Sequence, residues 1–315
     1  MKVRFSTAAW NWGTGDFQTF ALPSLLQPEN LPWLLANGCE LTFTAYTIPS
    51  ESAHVASILE RALSEAGIRG QGITPAVAVV ESQDARVIKY HWFAEECQRA
   101  IASGAAMMCV AADGFWGNGT IRNLATYCRK ADVATAGVYL RVRRERFLEM
   151  LTAYRGRFGA APISNGKLVD MGFEAAIDAI ASSHADEDLN ATYSTGVSLR
   201  SVGDGLFAMV HHLPTPFMFW PRASDVEFFE VYGGGAIESL DHIFQGKLIA
   251  ERRWRLLAST DLAFLVEATT AGSEGQHNYS PESGRRYNDD FYLQLPHTRL
   301  QQLVLIAVRR EPYLD

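Results

Sequence analysis

Residues 5–30, FSTAAWNWGTGDFQTFALPSLLQPEN, decide the fold class. An apolar run breaks at Trp10-Asn11-Trp12-Gly13, continues as a helical pattern over residues 17–26, and is followed by a second apolar run at 40–47, ELTFTAYT. Strand, glycine break, helix and strand make a βαβ unit with parallel strands. Open sheets of this kind take ligands in the crevice outside the carboxyl ends of the strands. Thr7, Gly13 and Thr47 stand at those ends and are the first candidate binding residues.

Outward from that unit the alternation continues. The pattern predicts strands at 2–8, 40–47, 73–80, 105–112 and 134–141, and helices at 17–26, 52–66, 85–103, 118–130 and 145–154. This order implies an α/β fold, a mostly parallel sheet with helices on both faces. Near Gly156 the pattern changes to an extended mixed α+β second half. It predicts a helix at 168–183, strand-like runs at 192–199, 206–212 and 217–220, and a hairpin of 254–258 with 262–268 across Ser259-Thr260-Asp261. A polar stretch at 272–290 precedes a final helix at 297–309. No clean linker interrupts the chain, so one domain is expected, with parts at 1–156, 157–270 and 271–315.

Composition narrows the function classes. A chain of 315 residues with 48% hydrophobic residues can bury a sizeable core. Its net charge of -7 argues against sequence-independent nucleic-acid binding and against an anionic membrane surface as the main partner. No stretch reaches the roughly 18 apolar residues of a membrane span. The opening MKVRFSTAAW lacks the apolar core of a signal peptide, so a cytoplasmic location is expected. Cys39, Cys97, Cys109 and Cys128 sit in apolar segments without a CxxC pair, which reads as reduced, buried thiols.

The sharpest chemical feature is Ala111-Ala112-Asp113-Gly114-Phe115-Trp116-Gly117-Asn118-Gly119-Thr120. An acid follows a buried strand and precedes a helix, among glycines that admit close backbone approach. Asp113 is either a site carboxylate or the cap of the next turn. His211-His212 follows a strand-like run, where histidine can ligate a metal or hold a phosphate or hydroxyl. In the segment from Gly233 to Asp241, Glu238 and Asp241 are three apart, on one face if helical, and either can act as a general base. Lys89 and His91 open the helix before the Asp113 strand and can face the cleft. Trp10, Trp12 and Trp116 fall on loops at strand ends, where aromatics stack on a base or sugar ring. Asp186-Glu187-Asp188 lies in a polar run and reads as a solvated helix end. There is no P-loop, no dinucleotide fingerprint after the first strand and no nucleophile elbow.

Four stretches together resemble a bacterial group of glycosyltransferase-like proteins related to the GT-A nucleotide-sugar transferases. They are Trp12-Gly13 with Leu22-Pro23-Ser24-Leu25-Leu26 and Pro28-Glu29-Asn30-Leu31-Pro32; Tyr46-Thr47; Ala112-Asp113 with Gly119, continuing to Arg141; and Val202-Gly203-Asp204-Gly205-Leu206, the histidines, Trp220-Pro221 and 235–241. The resemblance covers roughly residues 1–270. The group carries two acids and a tyrosine in its last motif, where this chain has Glu238, Asp241 and His242. GT-A enzymes usually hold a divalent metal with D-x-D, whereas this chain has Ala111 and Asp113.

The resemblance implies a GT-A-like (Rossmann-like) fold, a nucleotide-binding half at 1–156, an acceptor and catalytic half at 157–270, a nucleoside diphosphate sugar as donor and an unknown acceptor. Residues 7–13 and Thr47 would border the nucleoside, with Lys89, His91 and Trp116 beside them. Asp113 would face the diphosphate, directly or through Mg2+ or Mn2+, with His211 and His212 as further metal or sugar contacts. Glu238 and Asp241 would be catalytic, deprotonating the acceptor. A sugar-nucleotide nucleotidyltransferase and a non-catalytic GT-A-like binding module are the alternatives. The first is disfavoured because the 10–15 loop has no Lys or Arg.

Overall fold

The computed structural model describes residues 1–82, 84–131, 134–176, 197–203, 206–211, 217–233, 244, 247–248, 250–257, 259–269 and 308–309. In chain order the strands are β1 (Lys2–Ala8), β2 (Glu40–Thr47), β3 (Ile73–Val79), β4 (Ala106–Val110), β5 (Gly114–Trp116), β6 (Ala134–Ala136), β7 (Val138–Arg143), β8 (Val197–Gly203), β9 (Leu206–His211), β10 (Phe217–Phe219), β11 (Trp254–Leu256), β12 (Phe264–Thr269) and β13 (Val308–Arg309). The helices are α1 (Trp12–Asp16), α2 (Leu22–Leu25), α3 (Leu31–Ala36), α4 (Ser52–Glu65), α5 (Ala85–Ser103), α6 (Thr120–Ala131), α7 (Arg144–Phe158), α8 (Asn165–Glu174) and α9 (Ala223–Gly233). A π-helical turn, Phe17–Ala21, joins α1 to α2. The chain divides into two compact units, residues 1–136 with 216–255 and residues 137–215 with 256–315.

The first unit is built on a sheet in the order β11-β6-β10-β4-β1-β2-β3. β1 to β4 are rich in aliphatic, aromatic and β-branched residues, which suit a pleated, covered surface. They run parallel, with Phe5 opposite Phe43 and Met108, while β10 runs antiparallel to both β4 and β6. This is an α/β fold with a largely parallel, Rossmann-like central sheet. Side-chain parity assigns its faces. Trp92 of α5 donates to Ser6 Oγ at 2.8 Å, and Tyr46 OH donates to Glu96 of α5 at 3.1 Å. On the opposite face Phe5 stacks on Phe43 at 6.4 Å, and Phe17 lies 5.9 Å from Phe43. The helices between β1 and β3 thus cover one face and α5 the other, the arrangement right-handed crossovers give when the strand order reverses.

In the second unit β7 and β12 pair in parallel, Val138 opposite Phe264 through Arg143 opposite Thr269. α8 packs on this pair at Gly172, where a Cβ would stand 3.0 Å from Val266 Cγ1. Ser164 caps α8 by accepting from Lys167 N–H at 3.2 Å. β8 and β9 form an antiparallel pair, and β13 lies on the other side of β9.

Four expectations are corrected. The span 297–309, expected to be a helix, ends in a strand at Val308–Arg309, and the rest of it lies outside the described residues. The strand expected at 134–141 is two strands, because Gly137 sits where a Cβ would meet Ala263 Cβ at 3.0 Å, and β6 and β7 enter different sheets. Residues 254–256 and 264–269 are not a hairpin: β11 joins the seven-stranded sheet, whereas β12 pairs parallel with β7. The alternation of apolar residues cannot tell these pairings apart. The helix expected from 168 begins earlier, at Asn165, and ends at Glu174.

Candidate functional site

β1 is flanked by β2 on one side and β4 on the other, so the strand order reverses between β1 and β4. That is the switch point at which open α/β sheets leave a crevice. The loops beyond Ala8 and Val110 border it, with Thr7 opposite Val110 in the ladder. Thr7 and Thr47 both project to the face opposite Ser6 and Tyr46, the face covered by Phe17. Both threonines are fully buried, and neither Oγ1 has a hydrogen-bond partner. Nor does the indole Nε1 of Trp116, whose ring is also fully buried. A Cβ on Gly114 would come 3.5 Å from this Nε1 and 3.2 Å from Ala111 O, which places the indole at the turn leaving β4. A buried polar group left unpaired costs about 1–3 kcal/mol, so these three, two at strand ends of the seven-stranded sheet and one on β5, require an explanation.

Trp116 departs from the expected surface loop. It ends β5, which packs against the π turn and α2, and its ring is closed off from solvent. Trp10 is half-buried on the apolar cluster of Ala8, Tyr46, Ile48, Val80 and Ile88, and Trp12 opens α1. Between them Asn11 adopts φ 51° and ψ -126°, a conformation that favours glycine. Its backbone N–H donates to Glu51 Oε1 at 2.7 Å, and Thr14 Oγ1 donates to the other carboxylate oxygen of Glu51. Glu51, just beyond β2, therefore ties the β1 loop to the β2 loop. No feature of the sequence singled it out. A Cβ on Gly13 or Gly15 would meet nothing within 4 Å, so neither glycine is required by close packing.

Asp113 is half-buried in the turn closed by Gly114 N–H donating to Ala111 O at 3.1 Å. The glycines beyond it have a packing role. Asn30, fully buried, accepts at Oδ1 from Gly119 N–H and Ile121 N–H, each at 3.1 Å, and donates from Nδ2 to Ser24 O at 2.8 Å and Gly117 O at 3.2 Å. It caps α6 from a distant loop, satisfying N–H groups a helix start leaves open. Gln27 Nε2 donates to Trp116 O at 2.7 Å, and Asn118 Oδ1 accepts from Glu29 N–H at 2.9 Å. Gly119 has φ 94°, and a Cβ there would stand 3.0 Å from Glu29 Oε2. The Gln27–Asn30 stretch and the Gly117–Gly119 stretch are thus two halves of one packing unit beside Asp113.

On α5, His91 Nδ1 meets Glu95 Oε1 at 2.6 Å, and Glu95 also accepts from Arg99 at 3.0 Å. Lys89 lies two residues before His91 on the same helix. Below them Glu96 is fully buried, paired with Arg4 and hydrogen-bonded by Tyr46 OH. Burial, and then the Glu96 charge, push the Tyr46 hydroxyl well above the ordinary tyrosine range. A second buried cluster anchors α9. Asp225 accepts from Arg253 at 2.9 and 3.0 Å, from Lys247 at 2.5 Å and from Arg222 N–H at 2.8 Å. Burial raises the Asp225 pKa, but these donors outweigh it and hold the carboxyl below its ordinary range. Cys97 is buried nearby, and burial pushes its thiol up to about 12.

Glu238, Asp241, His212 and Asp186-Glu187-Asp188 lie outside the described residues. His211 ends β9, opposite Val197, in the second unit. Among the described residues no three His, Cys, Asp or Glu side chains converge to hold a metal ion. No helix among them is long and apolar enough to cross a membrane.

No protein-family model and no curated protein matches the sequence. Among solved structures the chain is similar to mouse xyloside xylosyltransferase 1, with 7% identity and a TM-score of 0.32 over 50% of this chain and 59% of that one. It is similar to a Bacillus anthracis protein described as a glucose-1-phosphate thymidylyltransferase, with 8% identity and a TM-score of 0.38 over 90% and 95% of the two chains. It is also similar to 4-diphosphocytidyl-2C-methyl-D-erythritol synthase from Anaerococcus prevotii, with 9% identity and a TM-score of 0.38 over 93% and 98%.

Proposed function

We propose that the carboxyl edge between β1 and β4 binds a nucleoside diphosphate sugar and that the chain transfers its sugar to an acceptor hydroxyl. The observation that supports this most is a set of buried, unpartnered groups: Thr7 Oγ1 and Thr47 Oγ1 at the carboxyl ends of β1 and β2, and Trp116 Nε1 beside the turn leaving β4. A ligand with carbonyl and hydroxyl groups, such as a base and ribose, would meet exposed polar demand there once the covering loop yields. Two donor-acceptor hydroxyls and one pure donor suit a ligand edge that mixes acceptors and donors.

Asp113 flanks the same edge. A carboxylate repels a diphosphate unless a cation stands between them. The role its chemistry supports directly is acceptance of a hydrogen bond from a sugar hydroxyl, which fixes the anomeric carbon relative to the attacking oxygen. Glu238 or Asp241 is proposed as the base that takes the acceptor proton as the bond from the anomeric carbon to the diphosphate breaks.

Incubation with UDP-, GDP-, CMP- and dTDP-linked sugars, with and without Mn2+, tests the reading. Release of free nucleotide together with an intact transferred or hydrolysed sugar supports it. Pyrophosphate release from a nucleoside triphosphate and a sugar phosphate would identify a nucleotidyltransferase instead. Binding without turnover would identify a non-catalytic module.

A further inference from the structure

We propose that Glu51 is a latch that holds the 10–15 loop closed over the buried groups of the β1–β4 edge, and that ligand entry requires its release. The consequence for ligand binding rests on the function proposed above; the latch itself does not.

The observations are independent of one another. Asn11 is held at φ 51° and ψ -126°, where an L side chain is strained, and its N–H is bonded to Glu51. The second carboxylate oxygen takes the Thr14 hydroxyl, so one side chain grips both ends of the turn that starts α1. α1 runs directly into the π turn at Phe17–Ala21, and π turns often mark sites of function. Phe17, the residue after α1, rests on Phe43, two rows behind Thr47 on the same face, so the turn that carries α1 lies over the face that holds the buried threonines. A Cβ on Gly13 or Gly15 would meet nothing within 4 Å, so the turn has unfilled space beside it even though Thr14 and Asp16 are buried. A closed loop over unsatisfied hydroxyls is a state a ligand can improve upon. Glu51 makes no side-chain cap on α4, so its removal leaves that helix start intact.

Two variants test the latch with opposite signs. In the full chain without ligand, Glu51→Ala loses both charge-assisted bonds and should speed backbone hydrogen exchange over residues 9–16 by roughly tenfold or more. Exchange in β3 and in the second half of α5 should not change. Asn11→Gly keeps the bond to Glu51 and removes the strain, so exchange over residues 9–16 should slow. UDP is then titrated against all three proteins. Glu51→Ala should tighten it and Asn11→Gly weaken it, because the apparent affinity scales with the open fraction. Unchanged loop exchange in Glu51→Ala, or an equal rise throughout the sheet, overturns the latch. Faithful exchange changes with no binding of UDP or any other nucleotide leave the latch standing and count against the proposed function.

Discussion

Replacing Asn30 with Ala removes four hydrogen bonds at once. Two are donations to Ser24 O and Gly117 O, and two are acceptances from the N–H groups of Gly119 and Ile121. At about 1 kcal/mol net for each bond the loss comes to about 4 kcal/mol, and the site is fully buried, so water does not replace the partners. For a unit of this size about 4 kcal/mol corresponds to a fall in melting temperature of roughly 8–16 °C. Asn30→Asp keeps both acceptances but turns a carboxylate oxygen toward two carbonyls, and should be no better than Ala. The assay is scanning calorimetry of both variants beside the wild type. A shift below about 3 °C in Asn30→Ala would refute the claim that this side chain joins the Gln27–Asn30 and Gly117–Gly119 stretches into one unit.

Asp225→Ala strands Arg253 in the core and should cost about 3–5 kcal/mol in urea titration. Because the folded Asp225 carboxyl is held below its ordinary value of 3.8, its contribution is present above that pH and is lost as pH falls through the lower folded value. Asp225→Asn should therefore flatten the acid limb of the stability curve below about pH 4, read by circular dichroism. Cys97, with its thiol pushed up to about 12, should react with a maleimide in urea but not in the native state, as peptide mapping will show. Asp113→Ala should abolish donor turnover while shifting the melting temperature by no more than about 4 °C, since the substitution removes a partly buried turn carboxylate and no core packing.

The first half of the fold was legible because its strands and helices differ in period. β1, β2 and α5 coincide with the expected spans, since each carries a long, unbroken apolar pattern bounded by a glycine or polar break. β5, α3 and the π turn were not legible, being too short for a period to show. The pairing of β10 between β4 and β6, and of β12 with β7, is set by contacts far apart in sequence that no local pattern encodes. Thr7 and Thr47 stand at the carboxyl ends of β1 and β2, and Asp113 follows β4, as the order of apolar runs and breaks in the sequence indicates. Trp116 was misplaced because a tryptophan between glycines looks like a loop residue, whereas Gln27 and the π turn enclose it. Asn30 stands in a Pro-Glu-Asn-Leu-Pro motif, but its partners 89 and 91 residues away are visible only in the fold. Glu51 carries no signal at all, since a single acid before a helix is commonplace.

The central claim is that the β1–β4 edge binds a nucleoside diphosphate sugar. The most direct measurement is the melting temperature of the wild type and of a Thr7→Val, Thr47→Val double variant against UDP-, GDP-, CMP- and dTDP-linked sugars. Ligand at about 100 times its Kd stabilises the folded state by about 2.7 kcal/mol. The account predicts a clear rise with one nucleotide in the wild type and its loss in a double variant that is itself at least as stable. No rise with any of the four, or an equal rise in both proteins, would contradict it.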